Sequence, residues 1–403
     1  MVKFLHITAI LVLYSFSTSL MGQIQDTRKL ILDFINSEIT RHPQAWTIDG
    51  ATRPKWNYTQ GLELMAMTDA ADYLEKDTNG PLHQRIYDFA LTYADTLVQP
   101  DGSIMGHKIE NYSLDEVNSG KILYRLWKRT GNEKYRKAMD RLRQQLRNSP
   151  RVPEGGFWHK QRYPQQMWLD GLYMGTPYYA EYATRFEKGE EQEASFRDVW
   201  HQFDLIFKKT WCNKCQLLHH GWDSSHQQKW CNPQTGQSAH AWGRAEGWYL
   251  MALVDCAEWM PEAYKDSLGN QLQTLSKTLL KLQDKKNGCW MQVLDETGRE
   301  GNYYEMSATA MFAYAFMKGY HLGILDKKYY KSGRNALEGI CKYFITYDPE
   351  GLVNLHNVCQ VAGLSDDRDG SFEYYLSTPR IDNDPKGVGP LIKAMIEELR
   401  TKN

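Results

Sequence analysis

No excess of charge of either sign marks this 403-residue chain: 48 Lys+Arg stand against 49 Asp+Glu, a formal net charge of −1. A nucleic-acid binder or a polybasic membrane-surface protein needs a cationic surplus to displace counterions or meet anionic lipid, so both classes are excluded. After the first 22 residues no apolar run approaches the ~18 needed to span a bilayer. No HExxH, GxGxxG, Walker or GxSxG motif occurs, which removes zincin, dinucleotide, P-loop and nucleophile-elbow chemistry. Alternating apolar/polar runs are scarce, with Trp290–Leu294 and Leu352–Leu355 the two short strands expected. No repeat period is visible, and no Pro/Ser-rich linker or charge block divides the chain. Cysteine is sparse, at seven residues, and the first is Cys212.

The chain opens on Met1-Val2-Lys3, an apolar stretch from Phe4 to Leu13, and small residues from Ser15 to Gly22. That pattern reads as a signal peptide over 1–22, with export to a periplasm or the outside and a mature domain over 23–403. Exported cysteines meet an oxidising milieu. Cys212 and Cys215 form a C-x-x-C, followed by His219, His220, His226 and Cys231. The expectations are a local disulfide from Cys212 or Cys215 to Cys231, or, against the lack of a second paired motif, zinc.

Helical periodicity dominates the remainder. Helices are expected near 26–39, 58–74, 82–97, 114–129, 132–147, 167–185, 193–208, 244–259, 262–283, 304–321, 326–345 and 385–400. Ser113 to Glu116 reads as a capping box, Gly131 as the stop of that helix, and Asn132-Glu133 as the start of the next. Leu250, Leu253, Val254 and Ala257 form one stripe. Short polar turns alternate with long aromatic- and Gly-containing connections at 148–166, 209–243 and 284–303. In a ring of antiparallel helix pairs the long loops gather at one rim and build a single mouth. The fold class expected is all-α, one domain, with an aromatic-lined cleft.

The aromatic content is high, with 13 Trp, 25 Tyr and 13 Phe. Rings, carboxylates and imidazoles coincide in Gly155–Lys160, Gln166–Gly175, His219–Asp223, Ala241–Tyr249, Asp369–Tyr375 and Asn383–Gly389. Singly, each feature has a plain explanation. Asp115 and Asp170 could complement helix dipoles, His159 could be a satisfied structural histidine, and Arg244 and Trp248 at i, i+4 could be a stacked pair. Together, a Trp two residues before an Asp among glycines suits a sugar ring beside an acid. An Arg between Trp242 and Trp248 suits a sugar carrying negative charge.

From about residue 45 to its end the chain resembles glycoside hydrolase family 105, the unsaturated rhamnogalacturonyl hydrolases. The resemblance rests on Trp56-Asn57-Tyr58, on Met167-Trp168-Leu169-Asp170-Gly171-Leu172-Tyr173-Met174-Gly175, on Trp242-Gly243-Arg244 with Gly247-Trp248, and on Asn383-Asp384-Pro385-Lys386-Gly387. It implies a single (α/α)6 barrel with Asp170 as the catalytic acid. Asp115, His159, His220, Arg244 and Trp248 would line the pocket, and Tyr58, Lys160, Trp168 and Trp242 match other lining positions. It implies further that no metal or organic cofactor takes part and that the partner is an unsaturated uronyl oligosaccharide. The C-x-x-C, Cys231 and Glu246 depart from the family pattern; at 246 an uncharged residue is expected. The competing readings are a hydrolase for unsaturated glucuronyl ends, a non-catalytic sugar-binding protein on the same barrel, and a zinc-stabilised interaction module.

Overall fold

The structure, a computed structural model, describes residues 27–76 and 78–400; the signal-peptide reading of 1–22 lies outside them. The helices are α1 (27–41), α2 (Tyr58–Leu74), α3 (Pro81–Leu97), α4 (Leu114–Asn118), α5 (Lys121–Thr130), α6 (Glu133–Asn148) and α7 (Leu169–Phe186). They continue with α8 (Gly189–Thr210), α9 (Gly243–Ala257), α10 (Glu262–Leu282), α11 (Met306–His321), α12 (Lys327–Tyr343), α13 (Phe372–Ser377) and α14 (Pro385–Leu399). Among the described residues no helix is long and apolar enough to cross a membrane.

Six positions form a closed inner ring, in which α2 packs on α4–α5, then α7, α9, α11 and α14, which returns to α2. The outer helices α3, α6, α8, α10 and α12 each lie against an inner neighbour. This is the (α/α)6 barrel. The two layers differ in composition because they differ in what surrounds them. In outer α6 only Tyr135, Ala138, Met139, Leu142, Arg143, Gln145 and Leu146 are buried, a single stripe. Every residue of inner α9 is buried, so the expected one-sided stripe there is corrected to burial all round.

The helix expected over 114–129 is two, broken at Ser119–Gly120. The break follows from close approach of α2. A methyl group on Gly61 would lie 2.5 Å from the Ser119 Cα, and one on Gly120 would lie 2.4 Å from Leu142 Cδ1. The capping box is also corrected, since the Ser113 side chain makes no cap and only its carbonyl accepts from Glu116 N, at 3.1 Å. Gly131 does end α5 with a left-handed φ of 65°, and Asn132 does cap α6 by accepting from Lys134 N.

Strands are two or three residues long and join loops. β1 (Gln166–Trp168) pairs with β4 (Gly221–Asp223), and β2 (Trp211–Cys212) pairs with β3 (Leu217–Leu218). On the far side of the mouth, β5 (Ile345–Tyr347) pairs with β6 (Val353–Leu355), and β7 (Val358–Cys359) with β8 (Arg380–Ile381). The strand expected at 352–355 is thus present as β6. That at 290–294 is replaced by isolated bridges, Met291 to Tyr304 and Val293 to Trp242.

All the inner helices run the same way, with Tyr58, Leu114, Leu169, Gly243, Met306 and Pro385 at their starts. Their far ends surround a cavity of about 320 Å³ lined by Asp69, Lys121, Arg125, Asp255, Lys318 and Lys393, among others. Lys393 bonds Asp69 at 2.8 Å and Lys318 bonds Asp255 at 2.6 Å. Gly61→Ala should lower the unfolding free energy by about 1–3 kcal/mol through overpacking against backbone. Gly298→Ala, where nothing lies within 4 Å of the new methyl, should leave it unchanged; equal denaturation midpoints for the two variants would refute this account of the α2–α4 contact.

Candidate active site

The strand β1 ends at Trp168, which is also the cap residue of α7, so Asp170 falls in the first turn of that helix. The register places Trp168 opposite Gly221. A side chain at 221 would meet Trp168 Cδ1 at 2.9 Å, so glycine there lets the indole lie across the strand pair. The same pairing brings His220 to Asp170, with Nε2 and Oδ2 3.1 Å apart. They lack the alignment of a hydrogen bond, and neither atom has another partner in the protein. On its other side His220 Nδ1 is hydrogen-bonded to the Tyr375 hydroxyl at 2.8 Å.

The second carboxylate comes from α4. Asp115 accepts a hydrogen bond from Lys160 and lies 3.5 Å from His159 Nε2. His159 stacks on Trp168 at 4.4 Å, and a methyl on Gly171 would come within 3.0 Å of its Nδ1. Asp115 and Asp170 keep 16% and 15% of their side-chain surface in solvent, whereas the imidazoles behind them are sealed at 3% and 0%. Burial pushes Asp115 upward, but the Lys160 ammonium beside it outweighs burial and holds the carboxyl below its usual range. His159 is pushed down to about 4, chiefly by burial and against the pull of Asp115, so it is neutral at pH 7. Tyr375 is driven well above its ordinary value by burial and remains a phenol.

The rings pack mostly on one another. Trp168, His159 and Tyr163 cluster, with Trp168 4.4 Å from His159 and 4.7 Å from Tyr163. Trp242 stacks on Tyr375 at 5.6 Å, and Trp248 on Tyr173 at 4.8 Å. The indoles at 242 and 248, expected as pocket lining, therefore have covered faces, each 1% exposed. Half-buried rings remain at Tyr58, Trp158 and Tyr163. Arg244 is likewise 1% exposed. Its guanidinium donates to Ser307 Oγ at 2.8 Å and to the Cys359 carbonyl, and it faces Glu305 at 3.5 Å. Arg244 thus ties α9 to the cap of α11 and to β7, and its ring partner is Trp242, not Trp248. Five buried polar atoms here have no partner in the protein: Trp158 Nε1, His159 Nδ1, Asp170 Oδ2, His220 Nε2 and Trp242 Nε1. Such a concentration suits a ligand rich in hydroxyl groups.

The sequence matches the family model described as Glycosyl Hydrolase Family 88 over residues 30–402. The chain belongs to the family 88/105 glycoside hydrolases. A glycoside hydrolase from family 105 of C. acetobutylicum ATCC 824 is 42% identical with a TM-score of 0.83, over 91% of this chain and 98% of that one. A 24.9 kDa protein in the picA locus of Rhizobium radiobacter is 38% identical over 237 residues, 56% of this chain and 98% of its own. The unsaturated glucuronyl hydrolase of Bacillus sp. GL1 shares the fold, with a TM-score of 0.66 at 11% identity over 92% of this chain and 96% of that one. This family 88/105 hydrolase is a glycosidase.

Sequence reasoning missed Tyr375 and Tyr163 as members of the hydrolase site. Tyr375 sits in the Asp369–Tyr375 stretch, whose rings and acids were the available signal; Tyr163 had none beyond its nearness to Trp168. The departure at Glu246 has a physical reading. Its side chain is fully buried with both oxygens unpartnered, and burial pushes it well above the ordinary carboxyl range. That shift favours the protonated, uncharged form of the side chain. Cys231 lies 3.8 Å from Asp223 Oδ2, and all seven cysteines are free thiols, so the expected pairing to Cys231 is absent.

Two stability profiles test these states, with opposite signs. Unfolded His titrates near 6.5, above its folded value of about 4, so the unfolded chain gains the proton first and stability drains away as pH falls from about 6.5 to 4. His159→Gln should flatten that decline by up to about 3 kcal/mol; parallel curves would exclude the neutral buried imidazole. Glu246 has its folded value raised above the unfolded ~4.3, so its contribution is intact below about pH 4 and lost as pH rises. Glu246→Gln should stabilise by about 1–3 kcal/mol at pH 8 and be neutral at pH 4, read from urea midpoints.

Proposed function

We propose that this chain is an unsaturated rhamnogalacturonyl hydrolase. It would release the non-reducing-end 4,5-unsaturated uronic acid from the rhamnogalacturonan fragments that a pectin lyase leaves. The observation that carries this reading is Asp170, a solvent-reaching carboxyl group whose Oδ2 faces only His220 within the protein. The specific resemblance of Met167–Gly175 to the rhamnogalacturonyl enzymes supports the substrate.

The reaction begins with the C4=C5 double bond. Asp170 gives a proton to C4, and positive charge develops at C5, shared with the ring oxygen. Asp170, now a carboxylate, takes a proton from the water that adds at C5. The resulting hemiketal opens and the glycosidic linkage falls apart. One carboxyl group acts twice, unlike the paired acids that flank a scissile bond in ordinary glycosidases. His220 suits this alternation. With Tyr375 kept as a phenol able to donate or accept, the imidazole can offer Asp170 either an N–H or a lone pair, matching each protonation state in turn.

Asp115, held ionised by Lys160, steadies the cationic centre and accepts sugar hydroxyls. The uronate carboxylate meets positive potential from Lys160, from exposed Arg162, and from inner-helix N-termini, each roughly half an elementary charge. Trp158, Tyr58 and Tyr163 border the sugar. The pattern of residues 1–22 supports action outside the cytoplasm.

An unsaturated glucuronyl end carries the same reacting bond, so the leaving sugar separates the two readings. Hydrolysis is followed as loss of the ultraviolet band of the conjugated bond, on rhamnogalacturonyl and glucuronyl disaccharides in parallel. The rhamnogalacturonyl substrate should be consumed faster; the reverse order would move the assignment to the glucuronyl class. Asp170→Asn should still bind the disaccharide but turn over at least about a hundredfold more slowly. Turnover near that of the native enzyme would remove Asp170 from the chemistry.

A further inference from the structure

The 209–243 loop holds a second cluster of reactive groups, behind the site just described. The end of α8 runs into β2, and the β2–β3 hairpin turns tightly over Asn213 and Lys214. Gln216 N donates to the Cys212 carbonyl at 2.8 Å, and Gln216 itself takes a left-handed φ of 57°. The turn brings Cys215 back over Cys212, whose Sγ accepts from the Cys215 backbone N–H at 3.2 Å. His219 follows β3. Cys212 Sγ, Cys215 Sγ and a ring nitrogen of His219 lie within 4.8 Å of one another, each residue half-buried.

Three features of this hairpin suit a soft cation. The backbone N–H aimed at Cys212 Sγ is a dipole that stabilises a thiolate. The Ser238 carbonyl, 2.5 Å from His219 Nδ1, can only accept, so it takes that proton and leaves Nε2 as the lone-pair nitrogen of the neutral ring. A carbonyl that fixes the tautomer in this way is the usual outer support of a metal-bound histidine. The separations are also near closure. A tetrahedral ion about 2.3 Å from sulfur and 2.0 Å from nitrogen holds its ligand atoms roughly 3.5–3.8 Å apart, so atoms that lie within 4.8 Å of one another here would close by at most about 1.3 Å.

We propose that Cys212, Cys215 and His219 bind one zinc ion, with water in the fourth position. The two thiols give up their protons as the ion binds, so the site gains no net charge. Zinc here is a clip and not a participant in hydrolysis. It fastens the hairpin through His219 to the segment at Ser238, whose Oγ accepts from Gly221 N at 3.1 Å. His220, the neighbour of Asp170, lies between those two anchors. His219 is therefore a positioning residue, and the metal sets the stiffness of the strand that presents His220.

The test uses the full chain, reduced under argon and equilibrated with zinc(II), then desalted and measured by elemental analysis. About one zinc per chain is expected, lost in Cys212→Ser/Cys215→Ser and in His219→Ala, and retained in Cys231→Ser, whose thiol lies elsewhere beside Asp223. Cobalt(II) in place of zinc should give the sulfur-to-cobalt charge-transfer band in native protein but not in the double variant. A strong chelator should lower the melting temperature of native protein by at least a few degrees and leave the double variant unmoved. Failure of the reduced native chain to retain zinc would overturn the proposal, as would equal zinc content in native and double-variant chains. A Cys212–Cys215 disulfide in the isolated protein, with no zinc uptake after reduction, would overturn it in favour of a redox pair.

Discussion

The whole molecule depends on the common direction of its inner helices. Because α2, α4–α5, α7, α9, α11 and α14 all start at one rim, their backbone dipoles add there instead of cancelling, as they would in an up-and-down bundle. The N-terminal rim is a region of positive potential and the opposite rim one of negative potential. Side chains follow that division. The carboxylates Asp115 and Asp170 stand in first turns at the N-terminal rim. Lys121, Arg125, Lys318 and Lys393 are drawn inward at the other, each near a carboxylate or carbonyl that offsets its burial. The direction also decides which connections are long. Each outer helix returns the chain to the N-terminal rim before the next inner helix begins, so the loops with room for strands and rings gather above Asp170.

Much of this was legible in the sequence because long helices carry repeated signals. A misread residue in α10 or α12 leaves the helix standing. What could not be read is how many sides of a helix are covered. The stripe Leu250, Leu253, Val254, Ala257 looks like one buried face of a surface helix; only the ring shows that Gly243 to Ala257 is enclosed throughout. The break at Ser119 escaped for a similar reason. It packs on Gly61, some sixty residues earlier in sequence, and no local propensity reports that contact. The strands β1 to β4 are too short for periodicity to reveal; β1 and β4 pair because two loops meet, and β2 and β3 form a hairpin within one loop.

At the site, residue types were readable and their surroundings were not. The Trp-Leu-Asp-Gly block points to an acid beside a ring, and the structure gathers Asp170, His220, Trp168, His159, Lys160 and Asp115 into one constellation. Sequence says that Trp242 and Trp248 are rings but not that Tyr375 and Tyr173 occupy their faces. It says that Arg244 is a cation but not that Ser307, Glu305 and Cys359 already share it. The buried indoles and guanidinium then read as the frame around Asp170 and His220, while rings such as Tyr58 and Trp158 keep part of their surface exposed. Glu246 shows the same limit, being an acid by name whose burial pushes it well above the ordinary carboxyl range.

Closure of the ring has a consequence for how the chain comes to be folded. The stave between α11 and α2 is α14, residues 385–399, made last among the inner helices. While the ribosome is still at work, α2 and α11 each present an oily flank with nothing opposite, and the barrel is a hoop with a gap. Until residues 385–399 are made, the flanks of α2 and α11 that α14 covers have no partner from it. A frameshift late in the message would do more harm than its few missing residues suggest.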